Sequence, residues 1–263
     1  MKYLLILLTP LVVFAKVHYA KVEPYETSTL KSAVSGQVII SKLPLEGTIV
    51  TERTIIQIDD ALDKVDLDSS QKSLSLINNM ISTNQAILSS LKETLNRQEQ
   101  YYNRIKDLGS ASQTQKDNAF YAYANAKTQY HSTREKLDSL KKQKLDMEYK
   151  IALLKDQISK KSIKLTNQFL YKLMVNQGDF VAPGTPLAQI NDLSRAKLVL
   201  FLEEDELQNI DQKTIYINDQ ATQYKVSKIW SVADEKFISS YRTEILIDNP
   251  KETFSTLLKV EFK

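Results

Sequence analysis

Two histidines and no cysteine are all that this chain of 263 residues offers toward nucleophilic, redox or multi-histidine metal chemistry. His18 lies near the N-terminus and His131 falls inside a helical repeat, so no pair of imidazoles is placed in sequence to share an ion or a proton. Without cysteine, neither a disulfide nor a thiolate metal site can form. The densest ionisable group is the acidic run Glu203, Glu204, Asp205 and Glu206. Such carboxylates can ligate a hard cation, but the run equally suits the first turn of a helix, where the macrodipole favours negative charge. The helix-terminus reading is adopted, and no metal or other cofactor is expected. Lys42 and Lys172 raise one further chemistry, a lysine bearing a lipoyl or biotinyl arm. That role needs an exposed tight turn of the Met-Lys-Met kind, which surrounds neither lysine. The chain is therefore expected not to be an enzyme.

Net charge supports a non-catalytic reading without naming a partner. At +3 the chain is close to neutral, which excludes a strongly basic nucleic-acid binder and a polyacidic tail protein. The N-terminus carries a targeting pattern. Met1-Lys2 is a minimal positive region, Tyr3 to Ala15 is apolar, and Val13 and Ala15 suit the −3 and −1 positions of a cleavage site before Lys16. The apolar run is shorter than the roughly 20 residues of a spanning helix and contains Pro10. Residues 1–15 are read as a signal peptide, with an uncleaved anchor as the alternative, and the mature protein as exported.

What remains to explain is a pattern of packing. Gly109 is the only glycine or proline between Gly47 and Gly178, so this long stretch reads as helix with one break. Before the break, Leu74, Ile77, Ile81, Asn84, Leu88, Leu91, Leu95, Gln98, Tyr102 and Ile105 follow alternating steps of three and four. After it, Ala119, Tyr123, Ala126, Tyr130, Thr133, Leu137, Leu140, Lys144, Met147, Ile151, Leu154 and Ile158 do the same. Each series makes one narrow seam, the pattern of a coiled coil, and the polar members Asn84, Gln98, Thr133 and Lys144 suit a role in setting register. Gly109 suits a left-handed residue closing the first helix. Ser112 suits the N-cap of the second, with Gln115 completing a capping box. The arms, from about Leu62 to Leu108 and from Ser112 to about Lys160, would be antiparallel neighbours, each about 70 Å long.

The flanks read as strands. Residues 35–59 and 163–192 are rich in β-branched residues and turn signals, with Gly36, Gly47, Gly178 and Gly184 expected at turns. The two flanks also resemble each other, since Glu46-Gly47-Thr48-Ile49-Val50 matches Gln177-Gly178-Asp179-Phe180-Val181 and Thr54 matches Thr185. This is an internal repeat split by the hairpin. From about Arg195 onward four or five further strand patterns and one helix, Glu203 to Ile210, predict a small barrel or sandwich.

Two half-motifs flanking a heptad hairpin, followed by a small β-domain, resemble the membrane fusion proteins, the periplasmic adaptor subunits of bacterial tripartite efflux pumps of the HlyD and AcrA kinds. The resemblance covers nearly the whole chain after the signal segment. It implies an elongated α+β multidomain fold, in which a coiled-coil hairpin is inserted into a lipoyl-like β domain and followed by a small β-barrel. The implied boundaries are 1–15 signal peptide, 16–34 N-terminal strand, 35–60 first lipoyl-like half, 61–162 hairpin, 163–194 second half and 195–263 barrel. The resemblance further implies a TolC-like outer-membrane channel and an inner-membrane transporter as partners, with an RND-type pump favoured over an ABC-type one, a homo-oligomeric ring of three or six copies, and no nucleic acid. Hairpin tips of that family carry an Arg, a Leu four residues on and a later Ser that engage the channel; Arg104, Leu108 and Ser112 stand in that order here. The tip is about three residues shorter than the usual pattern. Asn167 replaces a usual Gly, and Arg53 stands where the second half has Gly184. An exported structural coiled-coil spacer or adhesin is the alternative reading.

Overall fold

The computed structural model describes residues 16–233, 237, 239–248, 250 and 254–263, so the segment read as a signal peptide lies outside the described residues. The chain forms two compact units, and it leaves the first after Gln57 and returns to it at Ile163. No helix among the described residues is long and apolar enough to cross a membrane.

The intervening unit is a pair of helices, α1 (Ala61–Lys106) and α2 (Gln113–Lys160), packed against each other. At 46 and 48 residues each is about 70 Å long. The face they bury is the one with the 3-4 spacing. Ala119, Ala126, Leu137, Leu140, Ile151 and Leu154 are buried on α2, opposed by half-buried Leu74, Ile77, Ile81, Leu88, Leu91 and Leu95 on α1. Asn84 is buried in this seam without being left unpaired, because its Nδ2 donates to the Met80 carbonyl at 2.7 Å. Lys150 joins Asp66 across the pair at 2.7 Å, and Lys161 pairs with Asp63.

The end of α1 departs from expectation. The helix stops at Lys106, capped by Asp107 at φ −101°, and Gly109 does not take the left-handed conformation. Instead the Leu108 N–H donates to the Ile105 carbonyl at 3.1 Å, and the Ala111 N–H to the Leu108 carbonyl at 3.2 Å. Two consecutive tight turns reverse the chain, so no positive φ is needed there. At the start of α2 the expected capping box forms. The Gln115 N–H donates to Ser112 Oγ at 3.3 Å, and the Ser112 N–H donates to Gln115 Oε1 at 2.9 Å.

The β unit begins with β1 (Val17–Lys31), β2 (Gly36–Ser41), β3 (Thr48–Val50) and β4 (Arg53–Ile58). After the helices come β5 (Ser162–Leu165), β6 (Gln168–Leu173), β7 (Phe180–Val181) and β8 (Pro186–Glu203). One sheet runs β5-β4-β2-β7, and β1, β8, β6 and β3 are joined in the same sequence of pairings in the other. Each set mixes strands from both flanks: β3 pairs with β6, and β2 with β7. The repeat extends to single hydrogen bonds, the Gly47 N–H donating to Leu170 and the Gly178 N–H to Val38, both at 2.8 Å. Val38, Ile55, Leu165, Leu170, Val181 and Leu187 are buried on these strands.

The rest comprises α3 (Glu204–Leu207), β9 (Ile215–Ile217), β10 (Gln220–Ala221), β11 (Val226–Ala233), β12 (Ser240–Asp248) and β13 (Leu257–Phe262). Their order is β10-β9-β13-β1-β8-β12-β11. Ile215 on β9, Val22 on β1, Leu198 on β8 and Ile245 on β12 share one core, with Val226 of β11 against it, so the sheet curls around that core. The helix expected over Glu203 to Ile210 is only one turn, because Gln208 turns extended (φ −62°, ψ 123°) and ends it, and left-handed Asn209 at φ 54° then starts a separate 3-10 turn.

The expected boundary at 194/195 falls inside a strand, since β8 runs unbroken from the repeat into this last part. The N-terminal strand expected within 16–34 is β1, of which Val17–Lys21 pairs with β13 and the remainder with β8. What sequence marked as a boundary is an irregularity in the β1–β8 ladder. Pro24 has no N–H to donate, and the register shifts between Pro24 and Glu26. Arg195 lies over the Tyr25 ring at 3.8 Å on the opposite side of that shift.

Candidate docking tip

The last three turns of α1, the reversal and the first turns of α2 bring Arg104, Leu108 and Ser112 to one end of the helical unit. Arg104 is exposed in the final turn of α1, and Leu108 is 47% exposed in the reversal. Ser112 is exposed, but its Oγ is already committed as an acceptor to its own helix. Gly109 completes the reversal, and a Cβ added to it would meet nothing within 4 Å.

Around these residues lies an aromatic cluster, in which Tyr102 and Tyr123 occupy the seam positions expected from their spacing. Tyr102 of α1 stacks on Tyr123 of α2 at 5.7 Å, and Phe120 tilts against Tyr102 at 5.7 Å. Lys106 lies 5.9 Å from the Tyr102 ring centroid and Lys127 5.8 Å from that of Tyr123. Tyr101 belongs to a different face. Arg97, Tyr101 and Arg104 follow steps of four and three, which places them along one stripe of α1. All three are exposed, and among the described residues neither arginine has an ion-pair partner. Arg97 is not part of the motif read in the sequence; its spacing of seven from Arg104 places it on the same stripe.

The other candidates resolve into structure. Carboxylate oxygens of Glu203, Asp205 and Glu206 lie within 4.8 Å of one another. Lys16 already reaches Glu203 at 2.7 Å and Asp205 at 3.5 Å, and His18 Nε2 meets Glu206 at 2.7 Å. The hydrogen bond to Glu203 holds the Lys16 ammonium above the ordinary lysine range. Glu206 also accepts from the Glu203 N–H at 3.0 Å, so the run caps a helix. Lys42 precedes a single 3-10 turn and Lys172 lies within β6, neither in a tight two-residue hairpin. Gly47, Gly178 and Gly184 have φ of 72°, 98° and 90°, and Gly36 lies near the extended region at 157°.

No protein-family model matches the sequence, and no curated protein matches it. Solved structures do match the fold. Crystalline MacA from Actinobacillus actinomycetemcomitans has a TM-score of 0.73 at 13% identity, over 95% of this chain and 78% of that one. The periplasmic adaptor protein EmrA scores 0.52 at 14% identity, over 94% of this chain and 99% of its own. The membrane fusion protein Spr0693 from Streptococcus pneumoniae R6 scores 0.52 at 12% identity, over 94% and 98%. At such identities these are likenesses of architecture. This chain has the fold of the membrane fusion, or periplasmic adaptor, proteins.

Proposed function

We propose that this chain is a periplasmic adaptor of a tripartite export system, linking an inner-membrane pump to a TolC-like outer-membrane channel. The observation that carries the reading is the exposed Arg104 and Leu108 at the end of a helical hairpin, itself inserted into a split β repeat. Arg104 has no ion-pair partner among the described residues, and arginine is a residue type enriched at protein contacts, with the half-exposed Leu108 beside it to add apolar area. In this reading the hairpin is a coiled-coil lever, the paired half-repeats form a lipoyl-like domain, and the curled sheet is the small barrel that grips the pump. Copies assemble as a ring of three or six, since one hairpin cannot enclose a conduit. The work is mechanical coupling for small-molecule efflux, and no catalytic group is assigned.

The test is export in cells carrying Arg104→Glu and Leu108→Ala together. Export falls to the level of a strain lacking the gene while the purified protein keeps its helical content and melting temperature. Full export by the double variant would overturn the tip assignment. Co-purification from native membranes identifies the pump, an RND-type transporter being expected and an ABC-type transporter the competing result.

A further inference from the structure

The docking face extends back along α1 beyond the residues of the tip motif. Arg97, Tyr101 and Arg104 lie on one stripe of the helix, and Leu108 follows in the reversal. Tyr101 is 41% exposed and Leu108 47%, and among the described residues neither arginine has an ion-pair partner. Arginine, tyrosine and arginine on an open face are the residue types in which binding hot spots are enriched. Tyr102, one residue along, differs sharply: it is packed between α1 and α2. Tyr101 therefore has no comparable role within the hairpin.

We propose that Arg97 and Tyr101 are part of the channel-binding surface, and that the partner presents a helix carrying two carboxylates one heptad apart around an apolar patch. This rests on the adaptor reading above. The two guanidinium groups spring from backbone positions about 10 Å apart along the axis. A helix with Asp or Glu at i and i+7 meets that spacing, while Tyr101 fills the space between. Guanidinium groups favour such carboxylates, which they bind in bidentate fashion. A polyanion such as nucleic acid or an anionic lipid surface fits less well, because Glu93, Glu99 and Asp107 sit among the arginines on the same helix end.

The experiment places a photo-crosslinking side chain at position 101 or at position 104 of the full chain, in cells that contain its pump and channel. Both positions yield adducts with the outer-membrane channel, mapped by mass spectrometry to a helix with two acidic residues seven apart. Arg97→Glu lowers the adduct at 101 by at least tenfold without changing helical content, and Lys in place of the mapped carboxylate restores it. A channel adduct at 104 but none at 101, with Arg97→Glu silent, overturns the extended face and leaves the adaptor reading standing. No channel adduct at either position removes both. Adducts with lipid alone at 101 also overturn the proposal.

Discussion

Tyr102 and Tyr123 face each other across the helical pair with their ring planes 1° apart and centroids at 5.7 Å. Both belong to the 3-4 seams, so their contact closes the packed interface near the reversal, with Phe120 against one edge. Tyr102→Ala removes an aromatic pair and half-buried area together, and is expected to cost about 2 kcal/mol. Hydrogen exchange should accelerate across residues 98–126, measured by mass spectrometry. Tyr101→Ala, on the open stripe, should leave the same amides protected. Equal loosening by the two variants would contradict their assignment to different faces.

Ser112 carries two separable roles, helix cap and candidate contact. Its Oγ accepts from the Gln115 N–H while Gln115 Oε1 accepts from the Ser112 N–H, so Ser112→Ala removes one half of a reciprocal cap. The expected loss is about 1 kcal/mol. Ser112→Asp keeps an acceptor at the N-cap and adds charge favourable to the helix terminus, so stability should be retained. Thermal melts of the parent and both variants check the cap. If export tracks the melts, the serine acts through structure; an export defect in a stable Ser112→Asp protein assigns it to the docking face.

The helical unit is legible in the sequence because its packing has one period. Every seam position from Leu74 to Ile105 and from Ala119 to Ile158 is buried or half-buried, including polar Asn84, while most residues between them are exposed. The reversal is less legible. Gly109 signals a break but not its geometry, because two i to i+3 turns, onto the Ile105 and Leu108 carbonyls, reverse the chain without a left-handed residue. In the β unit, the repeat can be seen in Gly47 and Gly178, whereas the pairing that crosses the halves cannot. Hydrogen bonds between β3 and β6 join residues over a hundred positions apart, and no local pattern encodes that partner. The continuity of β8 is hidden for another reason: the turn-like stretch Asn191-Asp192-Leu193-Ser194 is accommodated by a register shift inside the ladder.

The departures Asn167 and Arg53 become intelligible through backbone angles. Asn167 sits at φ 52°, and asparagine tolerates the left-handed region better than other non-glycine residues. In the first half the left-handed residue is Glu52 at φ 44°, one place before Arg53, because no Pro-Gly pair is present to build the wider turn of Pro183-Gly184. Gly178 has φ 98° and open space where a Cβ would stand, so the cost of Gly178→Ala comes from the backbone alone, at about 1–2 kcal/mol. Asn167→Gly should be nearly neutral, and Asn167→Val should destabilise by more than Gly178→Ala, since a β-branched residue is least tolerant there. Denaturant titration of the three variants orders them.

Glu261 on β13 ties down the last strand of the curled sheet and makes its stability depend on pH. Lys259 reaches Glu261 at 2.8 Å and Asp219 at 2.6 Å, and Lys263 pairs with the other oxygen of Glu261. Hydrogen bonds from Lys259 and then Lys263 hold the Glu261 carboxyl below the ordinary glutamate range. Asp219 and then Glu261 push the Lys259 ammonium above the lysine range. A carboxyl whose folded-state pKa is depressed contributes stability that is fully present above its unfolded value, about 4.3, and is lost as pH falls through the lower folded value. For Lys259 the sign reverses: its contribution is complete below about pH 10.4 and is lost only above the lysine range. Glu261→Gln should therefore be less stable than the parent at pH 7, and the gap should narrow progressively below about pH 4 as the parent's own carboxylate takes up its proton. Denaturant unfolding of both proteins at pH 7 and pH 3 measures this. A gap of equal size at the two values would show that Glu261 acts through its shape and neutral hydrogen bonds rather than its charge.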